Sequence, residues 1–152
     1  MRRKEKQIQE LSTMESIIAK AEICFLAMSD NNIPYVVPLN FGYRDNVLYF
    51  HSAAEGKKLQ LIKENPNVSF SMAIDSEIVK ADKACNWGMI YKSVIGRGIA
   101  SFIEDQEAKI EALDIIMSQY SSETWEYKPK MLEKTVVVKI EVEELTGKHA
   151  LD

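Results

Sequence analysis

Small and basic residues follow one predicted strand in an order that suits phosphate binding. The strand ends near Ser52 and Ala53, Gly56 lies in the loop that follows, and Lys57 and Lys58 stand at the start of a predicted helix with Ser52 as its N-cap. The first N–H groups of a helix have no partner within the helix and lie at the positive end of its dipole. Anions bind readily at such a position, so the segment predicts a phosphate site.

The two lysines are not equivalent in this arrangement. Adjacent helical residues point about 100° apart, so one ammonium group faces the anion and the other is solvated, and the sequence does not say which. The same residues also suit an ordinary helix start with two solvated lysines. No Gly-x-x-x-x-Gly-Lys-Ser/Thr loop is present, and residues 96–98, Gly-Arg-Gly, lack the third glycine of a dinucleotide fingerprint and are predicted to lie inside a strand.

Hydrophobic periodicity predicts the elements that position these residues. Alternating apolar residues and turn residues predict strands over 23–29, 35–43, 47–52, 68–78, 91–103 and 136–143. Helices are predicted over 13–21, 55–64 and 106–120. The first has Ser12 as N-cap and Glu15 in a capping box, and Tyr120 lies on the apolar face of the last.

This pattern predicts an α+β protein that is mainly β. Six strands with antiparallel turns and flanking helices favour a small antiparallel barrel or a strongly curved sheet. A chain of 152 residues with 46% hydrophobic content is expected to form a single domain, with residues 1–10 as a flexible tail.

Composition argues against several classes of function. The net charge of −4 and the interspersed basic residues do not favour nucleic-acid binding. No apolar run reaches the roughly 18 residues of a transmembrane helix, and the basic N-terminus is not followed by a signal-peptide core, so a cytoplasmic protein without membrane partners is expected. Two cysteines and two histidines, widely spaced, predict no metal site.

Several segments resemble one known family. Residues 37–41, Val-Pro-Leu-Asn-Phe, are followed by 49–53, Tyr-Phe-His-Ser-Ala, and 55–58, Glu-Gly-Lys-Lys. With residues 85–87, 91–96 and 140–148, they resemble the pyridoxamine-phosphate-oxidase-like family of FMN-binding split barrels, in the branch that includes 5-nitroimidazole resistance proteins. The resemblance covers about residues 10–149 and implies an FMN-binding split barrel with FMN as cofactor.

The resemblance also implies roles for individual residues. Backbone groups of one segment would face the isoalloxazine ring: Val37, Pro38, Leu39, Asn40 and Phe41. A second group would surround the ribityl phosphate: His51, Ser52, Lys57 and Lys58, with the small residues Ala53 and Gly56 keeping the approach to it unobstructed. Tyr91 and Ser93 would close the site from a partner chain.

Barrel size suggests where such a flavin would bind. A barrel of about six strands is too narrow to hold a three-ring system inside, so the flavin is expected in an external groove. Deep grooves often form at subunit interfaces. This agrees with the homodimer that the resemblance implies, with the flavin at the subunit interface.

The expected activity follows from the cofactor, because a flavin itself supplies hydride and electron chemistry. We expect an FMN-dependent oxidoreductase that passes electrons from NAD(P)H to a small electrophile, with nitroimidazole-type compounds suggested by the resemblance. No catalytic residue is identified, and pyridoxamine phosphate oxidation is not favoured, since that enzyme's substrate-phosphate residues do not map onto this chain. The alternative is a flavin- or haem-binding carrier or sensor without turnover, for which His51 and His149 are the only available imidazole ligands.

Overall fold

The computed structural model describes residues 4–150, which form eight strands and four α-helices. The strands are β1 (Gln7–Ile8), β2 (Cys24–Asp30), β3 (Ile33–Leu39), β4 (Gly42–Arg44), β5 (Val47–Ala53), β6 (Asn67–Val79), β7 (Gly88–Ile103) and β8 (Thr135–Ala150). The helices are α1 (Leu11–Lys20), α2 (Lys57–Glu64), α3 (Gln106–Ser118) and α4 (Pro129–Lys134). Short 3₁₀ helices cover Lys4–Lys6 and Ala84–Asn86.

All eight strands belong to one antiparallel sheet that does not close on itself. Its order is β3-β2-β6-β7-β8-β5-β4, and β1 pairs with β8. The two edge strands, β3 and β4, are consecutive in the chain but pair with β2 and β5 respectively. The sheet therefore has an open side between β3 and β4, and the predicted α+β, mainly β class is confirmed.

The core lies on the inner face of this curved sheet. In β2, the buried side chains of Cys24, Leu26 and Met28 alternate with more exposed ones, and β8 contributes the fully buried Val138 and Ile140. This period of two is expected for strands with one face in the core. Helix α3 packs against β4 and β5, and α2 packs against β2, so the helices flank the sheet.

Two tight turns fix the register of the hairpins. Asn31 and Asn32 join β2 to β3, and Asp45 and Asn46 join β4 to β5; all four have positive φ, between 48° and 73°. Two successive residues with positive φ are characteristic of type I′ turns, for which Asn and Asp are among the favoured residues. The turns predicted at residues 30–32 and 44–46 are confirmed.

The single strand predicted over residues 35–43 is wrong, because the chain leaves β3 after Leu39 and begins β4 at Gly42. Pairing with two different strands forces this break at Asn40 and Phe41. Together with the unexpected β1, the division raises the number of strands from the expected six to eight.

The helix starts also differ from the predictions. Glu10 is the N-cap of α1, without a side-chain hydrogen bond, so the capping box at Ser12 is wrong. Residues 7–8, expected to belong to a tail, pair with β8, while residues 1–3 lie outside the described residues. The last predicted helix is confirmed as α3, and α4 was not expected.

No helix within residues 4–150 is long and apolar enough to span a membrane.

The two thiols should react very differently with a disulfide reagent. Cys24 is fully buried, and burial raises the pKa of its thiol to about 12, whereas Cys85 is exposed. Because the thiolate is the nucleophile, we expect Cys85 to react quickly at pH 8 and Cys24 to react roughly a thousandfold more slowly. Both should react in guanidinium chloride, and Cys85→Ser should remove the fast phase. Equal reaction rates for both thiols in the native protein would contradict the burial of Cys24 in the core.

Candidate functional site

The first turn of α2 leaves its backbone donors open. Gly56 is the N-cap with φ 146° and ψ 157°, and it provides no side-chain cap. Only glycine adopts this conformation without strain, and a Cβ at Gly56 would meet nothing within 4 Å. The N–H groups of Leu59 and Gln60 bond to the Gly56 carbonyl, so those of Lys57 and Lys58 remain available. This is the geometry of an anion-binding helix start.

Lys57 is held by other residues. Its Nζ lies 3.0 Å from Asp30 Oδ2, and it also stands 5.1 Å from the centre of the Tyr35 ring. Asp30 ends β2 and Tyr35 lies in β3, so these contacts fix the start of α2 beside the edge of the sheet. No local sequence signal indicates either contact, because the partners lie more than 20 residues away in the chain.

Lys58 differs from its neighbour. Its side chain is half-buried, on the side of α2 that carries the buried Leu61 and Ile62. Within residues 4–150 its ammonium group forms no ion pair or hydrogen bond. A partly desolvated cation without a counter-ion favours binding of an anion. Lys58 is therefore the better of the two candidates for contact with phosphate.

Ser52 does not cap the helix, so that prediction is wrong: it lies in β5 and the N-cap is Gly56. Its side chain points to the same face as the buried Leu48 and Phe50 and is only 6% exposed. Its Oγ has no hydrogen-bond partner within the described residues. Buried hydroxyls are normally bonded, so this hydroxyl, five residues before the helix, is a second indication of a ligand.

The predicted ring-binding segment begins in β3 and ends at the break. Val37 and Leu39 pack against the core, whereas Pro38 and Asn40 are exposed and Phe41 is fully buried. Strand β3 pairs only with β2, so the backbone groups on its other side lie along the sheet edge. From Tyr35, which contacts Lys57, residues 37–39 lie roughly 7–13 Å further along the strand. The two predicted segments are therefore neighbours.

The chain crosses the open side of the sheet twice, and both crossings carry predicted site residues. Asn40 and Phe41 lead from β3 to β4, and residues 54–56 lead from β5 to α2, which contacts β3 through Lys57. His51 and Ala53 are exposed on β5 at the second crossing. The candidate site is thus a strip along the open side of the sheet.

Tyr120, which follows α3, holds the first crossing in place, and its neighbour Gln119 holds the end of α1. The Phe41 N–H donates to Tyr120 Oη at 3.0 Å, and the Tyr120 hydroxyl donates to the Glu22 carbonyl at 3.1 Å. Gln119 Nε2 donates to the carbonyls of Ile18, Ala19 and Ala21. Tyr120 was expected on an apolar helix face, and its polar role was missed because its partners are distant in sequence.

Tyr91 and Ser93 are not brought to this strip within one chain. Both are half-buried on β7, three strands from β3 in the order of the sheet. No hydrogen bond or ion pair within residues 4–150 joins them to Lys57 or Lys58. Instead, Lys148 Nζ donates to Tyr91 Oη at 2.9 Å and lies 5.1 Å from the ring centre.

Two grooves meet beside the first crossing. One, of about 500 Å³, is lined by Asn40 and Tyr120 and continues past Lys20 and Ile23. The other, of about 470 Å³, shares Lys20 and Ile23 and extends over Phe25 on the outer face of the sheet. Both are large enough for a small aromatic molecule.

The two histidines lie on neighbouring strands of the sheet. His51 is exposed on β5, and His149 is half-buried on β8, opposite Lys92 of β7. Among residues 4–150 no group of three or more His, Cys, Asp or Glu side chains is placed to hold a metal ion.

Comparison with known proteins identifies the family. The family model for pyridoxamine 5'-phosphate oxidase matches residues 10–149, and the chain belongs to this family of flavin-binding split barrels. No protein of curated function matches significantly. The resemblance on which the sequence prediction rested is confirmed.

Solved structures support the same conclusion. A candidate 5-nitroimidazole antibiotic resistance protein from Bacteroides thetaiotaomicron is 38% identical, with a TM-score of 0.86 over 94% of this chain and 86% of that one. An FAD- and haem-binding protein from Mycobacterium smegmatis is 18% identical, with a TM-score of 0.87 over 97% of this chain and 74% of that one. An FAD-binding protein from Mesorhizobium loti is 23% identical, with a TM-score of 0.70 over 96% of this chain and 98% of that one. The last two show the split-barrel fold alone.

Proposed function

We propose that this protein binds FMN along the open side of its sheet and acts as an NAD(P)H-linked oxidoreductase on a small electrophile. The observation that carries the proposal is the start of α2, where the N–H groups of residues 57 and 58 are open and the Lys58 ammonium has no partner among residues 4–150. The orphaned Ser52 hydroxyl lies at the end of the preceding strand. These groups suit a phosphate with two negative charges.

The remaining parts of the strip suit the rest of FMN. Backbone groups on the free side of β3, at Val37 to Leu39, supply donors and acceptors for the polar edge of the ring, while Pro38 offers no competing donor. When bound, the flavin supplies the hydride and electron chemistry, so the protein needs no catalytic triad.

Access to the ring favours a small substrate. The groove at Asn40 adjoins the end of the ring-binding segment, and it shares Lys20 and Glu22 with the groove over Phe25. A planar electrophile of nitroimidazole size fits this space, and the 38% identical Bacteroides protein is itself a candidate nitroimidazole resistance protein.

We further propose a homodimer that completes the site. The outer face of the sheet exposes apolar side chains on neighbouring strands, including Phe25, Val36 and Ile95, each about half exposed (49%, 54% and 50%). Phe25 pairs with Ser71, and Ser71 pairs with Ile95, so the side chains of Phe25 and Ile95 lie in one row across the sheet. A second copy would cover this face and could bring Tyr91 and Ser93 to the flavin.

The purified protein should be yellow or take up FMN. After incubation with FMN and removal of the excess, we expect absorption bands at about 370 and 450 nm that bleach under anaerobic NADH or NADPH. A parallel sample with FAD should retain less flavin, because the α2 start suits a terminal phosphate. Flavin bands that both nicotinamides leave oxidised would indicate a carrier, a Soret band would indicate haem, and absence of bound flavin would overturn the proposal.

Lys58 should contribute more to FMN affinity than Lys57. We expect Lys58→Met to weaken binding tenfold or more, in line with roughly 1.5–3 kcal/mol for a charged hydrogen bond. Lys57→Met should have a smaller effect, since its ammonium is already engaged by Asp30. Fluorescence titration measures both, with Lys130→Met on α4 as a control of equal charge change. A larger effect at residue 57 would reverse this assignment.

The chain should sediment at twice its own mass with one flavin per chain. Placing a charge on the apolar row by Ile95→Glu should shift the protein to monomer and weaken FMN binding, because the second wall of the site is lost. Met131→Glu on α4 alters a 62% exposed apolar residue away from that row and should leave the dimer intact. A wild-type monomer that holds FMN tightly would refute the shared site.

A further inference from the structure

The hydroxyl of Tyr120 has two partners that lie on different elements. It accepts from the Phe41 N–H at 3.0 Å and donates to the Glu22 carbonyl at 3.1 Å. Its single proton and its lone pairs are thus both used, a combination that phenylalanine cannot reproduce.

The Phe41 N–H depends on this hydroxyl. Residues 40 and 41 lie between β3 and β4, so this N–H has no partner in the sheet, and the Phe41 side chain is fully buried. This N–H is partly buried, and within residues 4–150 Tyr120 is the partner that satisfies it. Loss of the hydroxyl would leave the crossing free to shift in search of another acceptor.

We infer that Tyr120 is a positioning residue for the flavin ring. The inference rests on the proposed function: residues 37–41 present backbone atoms to the ring, and Tyr120 fixes the end of that segment. It also lines the groove beside Asn40, so the same side chain shapes the approach to the ring. Tyr120 does not itself take part in the chemistry.

Tyr120→Phe tests the inference with two matched controls. Tyr127→Phe removes another hydroxyl, which bonds to Asp114 Oδ1 on α3 and has no link to residues 37–41. Gln119→Met removes the neighbouring contacts to the end of α1 while the Phe41 bond remains. Both controls lower stability without altering the crossing, so they separate positioning from general loss of structure.

We expect Tyr120→Phe to weaken FMN about tenfold, equal to about 1.4 kcal/mol. At saturating FMN, the visible circular dichroism of the bound flavin should change, and amide exchange at Phe41 should accelerate, while both controls keep the wild-type flavin signal. Wild-type affinity and flavin dichroism in Tyr120→Phe would overturn the inference and leave the proposed function intact. So would equal changes in all three variants. A wild-type protein that binds no flavin would overturn the proposed function, and the role of Tyr120 with it.

Discussion

The open side of the sheet is the constraint on which the rest of the structure depends. Strands β3 and β4 follow each other in the chain but do not pair, so the backbone between them must find its hydrogen bonds elsewhere. Tyr120, just after α3, accepts a hydrogen bond from the Phe41 N–H, and α3 itself packs closely against the start of β4. A Cβ at Gly42 would lie 2.5 Å from the Ile115 carbonyl oxygen, so only glycine allows β4 to begin this near the helix.

The location of the site follows from this arrangement. A closed barrel would pair β3 with another strand and use all of its backbone groups within the sheet. Because the sheet remains open, β3 keeps one unpaired side, and the loop before α2 brings a helix start to the same opening. Under the proposed function, the edge of β3 would face the ring and the start of α2 would hold the phosphate, without a dedicated binding domain.

Local signals in the sequence predicted much of this fold. The Asn and Asp pairs placed the turns, the alternation in 136–142 placed β8, and the helical periodicity placed α3. The break at Asn40 was not predicted, although Pro38, Asn40 and Gly42 are residues common in turns, because apolar residues continue between and beyond them and favour a single strand. It arises because β3 pairs back to β2 and β4 pairs forward to β5, which lie near opposite edges of the sheet. The partners of Phe41 and Lys57 could not be predicted from local sequence either, because long-range packing determines them.

The adjacent lysines show how one helix start can serve two purposes. Residues about 100° apart on a helix meet different surroundings. Lys57 faces outward to Asp30 and Tyr35, which attach α2 to the edge of the sheet, and Lys58 faces inward, where its charge has no protein partner among the described residues. An ion pair with Asp30 neutralises one charge locally, so the two ammonium groups do not simply repel each other. The attachment supplied by Lys57 thus positions Lys58, and the proposed contact of Lys58 with phosphate rests on the counter-ion that Lys57 already has.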